Sequence, residues 1–355
     1  MAQFITFQPS DFFSPKIYAG SASAVTVTGL DFQPDMTWTK DRQNTGYHAL
    51  IDSANGVGKY TQPDNASVQS EVANNCITSF TSDGFVTGTA APSNNSSSSG
   101  IGFMSWNWKA GTTTGIATNG STTITPSAYS FSQTAGLSIL SYTGNATAGA
   151  KLAHGLGKAP TLIWVKNLDD GNDWKVYQKH VKATDPEDWV MILNTGAATT
   201  DDNTVWNDTQ PDDVNITLGS STHVNDSSTA YAAYCFAPIQ GKQIFGRYYG
   251  NANANGPFIQ TNFRPKFVVL KRLDGTTDWT MLYNPPYTEN DASIPALWVN
   301  STSGEGSYAT IDFLSNGFKI KDTSAVINTN GGQHVYWAFA EFPFVSSNSK
   351  PGTAR

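Results

Sequence analysis

Along most of the chain, apolar and polar residues alternate with a period of two or fall in short apolar runs; a period of 3.6 is nearly absent. In YAAYCFAP (231–238), Tyr234 and Phe236 fall on one face of an extended strand, with Cys235 and Ala237 on the other. LIWVKNL (162–168) and FVVLKRL (267–273) are short, apolar and β-branched, the composition of strands buried between two layers. TSDGF (81–85) and LSNGF (314–318) set Asp-Gly and Asn-Gly between apolar residues and predict hairpins. The one helical signal is a short turn at Asp185–Trp189, with Pro186 at its first position after an Asp cap. Strands with turn signals every 8–12 residues or so predict an all-β chain of antiparallel β-sandwich-like domains, with helix below about 10%.

Three signatures recur in the same order. An aromatic-x-Gly turn appears at Tyr18-Ala19-Gly20, Tyr142-Thr143-Gly144 and Tyr248-Tyr249-Gly250. A proline then opens a strand that ends near a basic residue: FQPDMTWTKDR with Pro34, KAPTLIWVKNL with Pro160, FRPKFVVLKRL with Pro265. Copies two and three continue to Asp173-Trp174 and Asp278-Trp279, whereas the first has Thr45-Gly46-Tyr47. An aromatic strand closes each copy: FMSWNWKA (103–110), YAAYCFAP (231–238) and VYWAFAEF (335–342). Pro34 to Pro160 is 126 positions and Pro160 to Pro265 is 105. The longer first interval matches a Gly/Thr/Ser-rich stretch. This divides the chain into an N-terminal attachment segment (1–13), a first unit (14–109), a linker or arm (110–136), a second unit (137–240), a third unit (244–345) and a tail (346–355). A unit near 100 residues is long enough to hold its own core, so the reading is three similar domains in series.

Composition narrows the function. Of 355 residues, only 14% are charged, and the net charge is −7. Polarity comes from 41 Thr and 28 Asn. The acidic balance argues against a nucleic-acid partner, which needs Lys and Arg to displace phosphate counterions. No apolar run reaches 18 residues, so no membrane insertion is expected, and the start lacks a secretory pattern. Cys76 and Cys235 stand in unlike contexts, so neither a disulfide framework nor a CxxC metal site is expected.

The segments FQPSDFFSPKIYAG, TGLDFQPD, TWTKDR, SFTSDGF and SWNWKAG, then LSYTGNATAG, HGLGKAPTLIWVKN, WNDTQP and AYCFAP, together resemble a repeat family of uncharacterised domains in virion proteins of marine tailed phages, cyanophages among them. The resemblance covers about 7–343. It implies a structural protein of the particle, assembled in the bacterial host cytoplasm: a tail fibre or similar appendage for host recognition, built as a homo-oligomer, a trimer, beside other virion proteins. The alternatives are a capsid or tail-tube decoration without a receptor role, and a tailspike that degrades polysaccharide. Few charges and abundant Asn and Thr suit neutral hydrogen bonding to host-surface glycans at seawater ionic strength, where charge steering is short-ranged.

Site signals are weak. The five histidines show no metal-ligand spacing, and the Asp-rich loops at 169–173, 201–203 and 208–213 lack an EF-hand pattern. Five Glu residues offer no recurrent carboxylate pair for glycoside cleavage, and no GxSxG, HExxH or phosphate loop occurs. No enzymatic activity, cofactor or metal is therefore expected. Trp174 and Trp279 recur at one repeat position, which favours packing, and Trp106 and Trp108 share a core face with Met104. Trp206, followed by Asn207 and Asp208, is the candidate glycan contact. Phe4, Ile5 and Phe7 precede the first unit and are the candidate virion-docking residues.

Overall fold

The computed structural model describes residues 7–21, 23–72, 76–89, 102–284, 294–309 and 311–343. The fold is all-β with several antiparallel sheets. Each unit builds one main sheet from the same four strands. An opening strand (Phe13–Ala19, Leu137–Thr143 or Gln243–Tyr249) pairs with a closing strand (Gly102–Trp108, Ala230–Phe236 or Gln333–Pro343). The closing strand also pairs with a proline strand (Met36–Asp41, Leu162–Asn167 or Phe263–Arg272), which pairs with a return strand (Ala49–Asp52, Lys175–Gln178 or Thr280–Tyr283). Register confirms the repeat: Met36 faces Trp108, Leu162 faces Phe236, and Phe267 faces Phe339.

Alternation assigns the two faces of each sheet. In the second closing strand, Ala232, Tyr234 and Phe236 enter one cluster, while Tyr231, Ala233 and Cys235 enter another. In the third, Val335, Trp337 and Phe339 join the first cluster, while Tyr336, Ala338 and Ala340 face a third. Each unit thus keeps a core of its own under a small outer sheet. The outer sheets are Thr26–Val27 with Gly84–Thr87 and Ile77–Thr81, then Ala150–Ala153 with Asn215–Leu218, then Phe258–Gln260 with Gly317–Ile320 and Ile311–Leu314.

The inner faces of all three main sheets meet in one common core, which corrects the expectation of units strung as independent domains. It holds seven of the ten tryptophans, from every unit. Trp38 lies edge-on to Trp164 at 5.9 Å, Trp164 contacts Trp337 at 5.2 Å, and Trp106 contacts Phe267 at 5.1 Å, so each pair of units touches here. Aromatic rings suit a core shared by three sheets because each buries a large apolar area and packs against its neighbours' rings.

Other expectations shift. The 110–136 stretch is not a free arm: Ala128–Ser132 is a strand of the second main sheet, and Ile124 bridges to Leu152. Asp35 ties it to the first unit by accepting from Ala110 N–H at 2.8 Å and Ser130 Oγ at 2.7 Å. The N-terminal segment ends earlier than residue 13, since Phe13 lies in the common core, 5.0 Å from the Phe339 ring. Both hairpins form, but their turn residues are Ser82-Asp83 and Ser315-Asn316. Gly84 and Gly317 instead begin the next strand, where a Cβ would overlap the carbonyl oxygens of Val27 and Ile259. The Pro186–Asp188 turn is 3-10, and Asp185 makes no side-chain cap. Among the described residues α-helix is confined to two four-residue segments, Asn203–Trp206 and Ala325–Asn328.

Candidate functional site

The lysine one position before the end of each proline strand is buried, because it faces the neighbouring unit. Lys40 Nζ donates to Gly46 O in its own unit at 2.8 Å and to Thr302 O of the third unit at 2.8 Å. Lys166 Nζ donates to Asn172 O at 2.7 Å and to Ala66 O of the first unit at 3.0 Å. Lys271 Nζ donates to Thr277 O at 2.7 Å and to Gly196 O of the second unit at 2.8 Å. Burial pulls all three ammonium groups down to about 8. Two residues beyond each lysine, the carbonyls of Arg42, Leu168 and Leu273 accept from Glu305, Gln69 and Thr199 of the same neighbours. Three like seams therefore run first to third, second to first, and third to second, closing a ring.

Eight positions after each lysine a ring system crosses the same seam. Trp174 Nε1 donates to Gln62 O at 2.9 Å, and Trp279 Nε1 to Ile192 O at 3.0 Å. In the first unit the eighth residue is His48, which explains the missing Asp-Trp pair. His48 Nδ1 accepts from Trp38 Nε1 at 2.8 Å, leaving Nε2 to donate to Ser301 O at 3.2 Å. Burial first, then Lys40, pushes His48 down to about 3, so it is neutral.

Toward the common core, the return strands make a second set of links. Asp52 accepts from Tyr234 at 2.7 Å, and Gln178 accepts from Trp337 Nε1 at 2.8 Å while donating to Gly246 O at 3.0 Å. Between the third and first units the corresponding Tyr283 turns to Glu305, and buried Trp106 Nε1 has no hydrogen-bond partner among the described residues. Arg42 closes this seam through an ion pair to Glu305 at 2.7 Å. A cavity of about 280 Å³ lies beside it, lined by Pro15, Lys16, Ile17, Met104, Lys266, Tyr283 and Asn284.

Of the predicted contacts, Trp206 is overturned as a sugar platform. It is 2% exposed and packs edge-on against Tyr177 at 5.9 Å, leaving no open face for stacking. Without an aromatic counterpart in the third copy it carries no packing signal in the sequence, yet it fills the second unit's own core. Asn207 and exposed Asp208 follow it in the left-handed region, with φ of 54° and 43°. Phe7 packs against Phe12 of its own chain at 5.5 Å, while Phe4 and Ile5 lie outside the described residues. Among the described residues no three His, Cys, Asp or Glu side chains gather as a metal site.

A charged groove lies where the second unit meets the third. Two adjoining hollows of about 320 and 390 Å³ share Lys182, Ala183, Thr184, Asp185 and Arg247. Asp188, Trp189, Tyr249 and Gln333 line one, and Lys179, His180, Pro186 and Gln210 the other. Lys182 Nζ stands 3.7 Å over the Trp189 ring, and the Arg247 guanidinium 5.7 Å from the Tyr249 ring. Partial burial, then Lys179 and Arg247, lowers the pKa of His180. Neither repeat motifs nor spacing marks these residues, because they come from different units and recur in no other copy.

Ring closure and a common aromatic core define an all-β protein built from three repeated units in one chain. A family model described as Domain of unknown function (DUF7483) matches residues 8–343, and the chain belongs to that family. No curated protein and no solved structure matches it.

Proposed function

We propose that the protein is a non-catalytic structural component of a tailed-phage particle, a tail fibre or similar appendage that meets glycans on the host surface. The reading rests on the resemblance carried by the repeated motifs. Those motif residues are the ones spent on architecture: the proline strands supply the seam lysines, and the closing strands supply the common core. We read each unit as a sandwich-like pair of sheets whose inner face is shared. Such a body is suited to bearing load, since the units cannot separate without exposing aromatic surface.

The closed ring favours a second reading. A single chain with three like faces fits a threefold position on a capsid or tail tube, as a decoration without a receptor role. Labelled antibody on intact particles separates the two: decoration of fibres or tail tips supports the first, and decoration of the shell or tube supports the second. Absence from particles refutes both. Release of reducing sugar from host polysaccharide would instead assign a tailspike enzyme. Sedimentation tests the proposed homotrimer, which a species of one chain refutes.

A further inference from the structure

We infer that the groove between the second and third units is a binding site for a carboxylated saccharide, such as a uronic-acid polymer. The inference rests on the glycan-contacting reading above and names its ligand class.

The first support is unneutralised charge. Elsewhere, cations are largely consumed: Arg42 by Glu305, Arg264 and Lys266 by Glu341, Arg272 by Asp274, Lys321 by Asp312, and the seam lysines by carbonyls. Lys179, Lys182 and Arg247 have no carboxylate within ion-pair distance among the described residues, yet they line one groove in a chain of net charge −7. The second is that the fold does not require Lys179 or Arg247. Return-strand register places Lys179 where the other copies have Ser53 and Asn284, and opening-strand register places Arg247 where they have Ile17 and Ser141.

The third is chemical balance. Asp185 and Asp188 also line the groove beside the three cations, desolvation and then nearby Asp208, Asp185, Glu187 and Asp201 raise the pKa of Asp188, and lowered His180 adds no charge at neutral pH. A polyphosphate would bring dense negative charge against both carboxylates. A saccharide with one carboxylate per ring meets the cations and donates hydroxyl hydrogen bonds to the aspartates. Thr184, Gln210 and Gln333 offer neutral hydrogen bonds, and exposed Tyr249 offers a stacking face. The hollows match the lower range of ligand pockets, about 300–1,000 Å³. Contact-distance ion pairs survive salt better than long-range steering.

The test is calorimetric titration of the full chain with oligoguluronate, a neutral oligosaccharide of equal length, and inorganic polyphosphate. Binding of the uronate at least tenfold tighter than the others is expected. Lys182→Gln and Arg247→Gln should each weaken it about tenfold or more, the loss of one charge-assisted hydrogen bond. Trp189→Phe should remove a ligand-induced fluorescence change while calorimetric binding persists, a readout independent of the charge variants. No uronate binding at millimolar concentration, equal binding of the neutral sugar, tighter binding of polyphosphate, or unchanged affinity in both charge variants overturns the assignment. The purified chain reports this whatever its place on a particle, so failure of the virion reading shows separately, by antibody labelling.

Discussion

Replacing Asp64 with Asn should stabilise the protein above neutral pH and lose that advantage in acid. Asp64 stands where the other units have Asn194 and Asn300. Those side chains accept from Trp174 N–H at 2.9 Å and Trp279 N–H at 2.8 Å, and their amides donate to Asp173 and Asp278. In the first unit Asp64 Oδ1 accepts from His48 N–H at 3.2 Å, while buried Oδ2 has no hydrogen-bond partner among the described residues. Burial raises the carboxyl from 3.8 to about 7, opposed by that hydrogen bond and by Lys40. The folded group therefore holds its proton through a range where the unfolded group has lost it. Its contribution to stability is complete below 3.8 and is lost as pH rises through about 7. Asparagine does not titrate, so the variant's advantage grows across that window, with a ceiling of about 4 kcal/mol. A buried amide proton without an acceptor offsets about 1–2 kcal/mol, while the attraction to Lys40 is already contained in the folded value of about 7. A net gain of about 2 kcal/mol near pH 8, falling to zero or below near pH 4.5, is the expected result. Urea unfolding followed by tryptophan fluorescence at several pH values measures it. A difference that is flat with pH, or shrinks as pH rises, refutes the reasoning.

Lys166→Met removes the ammonium bonds to Ala66 and Asn172 carbonyls and should cost about 2–4 kcal/mol in the same assay. Wild-type stability should climb from about pH 8 toward 10, because the seam lysines fall to about 8 when folded against 10.5 unfolded; the variant's slope should be shallower. One common core predicts a single cooperative transition in calorimetry, and three separate transitions would contradict it. Trp206→Ala should destabilise by about 3–5 kcal/mol through lost packing on Tyr177, yet leave saccharide affinity of the folded protein unchanged; a selective affinity loss would restore Trp206 as a contact.

The repeat, the strand character and the two-faced closing strands were legible because each leaves a periodic trace. Tyr234 and Phe236 face inward, as alternation requires, and Trp174 and Trp279 pack, as their recurrence implies. Ring closure was less legible. A lysine after an apolar strand reads as a solvated end, and only its shared position in three copies hints otherwise. The eight-residue spacing from Lys40 to His48 is the signal for a His in a tryptophan's place, and it is masked because Thr45-Gly46-Tyr47 interrupts the Asp-Trp pattern just before it. The groove left no trace, since Lys182 and Arg247 converge only when two units meet.

Three copies in one chain serve as their own alignment, and this orders what each residue is for. Where all three do the same thing, as with Lys40, Lys166 and Lys271, the fold is the reason, because each seam needs the same buried donor. Where one copy departs with a compensating partner, as with His48 and Trp38, the fold has been repaired locally. Where a copy departs and architecture gains nothing, the residue serves something outside the fold. Lys179, Lys182 and Arg247 come nearest that last condition: Lys182 and Arg247 lie over the rings of Trp189 and Tyr249, but among the described residues no core or seam hydrogen bond or ion pair uses the three charges. Structural repetition thus points away from the recurrent tryptophans, and toward the positions where the second and third units stop resembling the first.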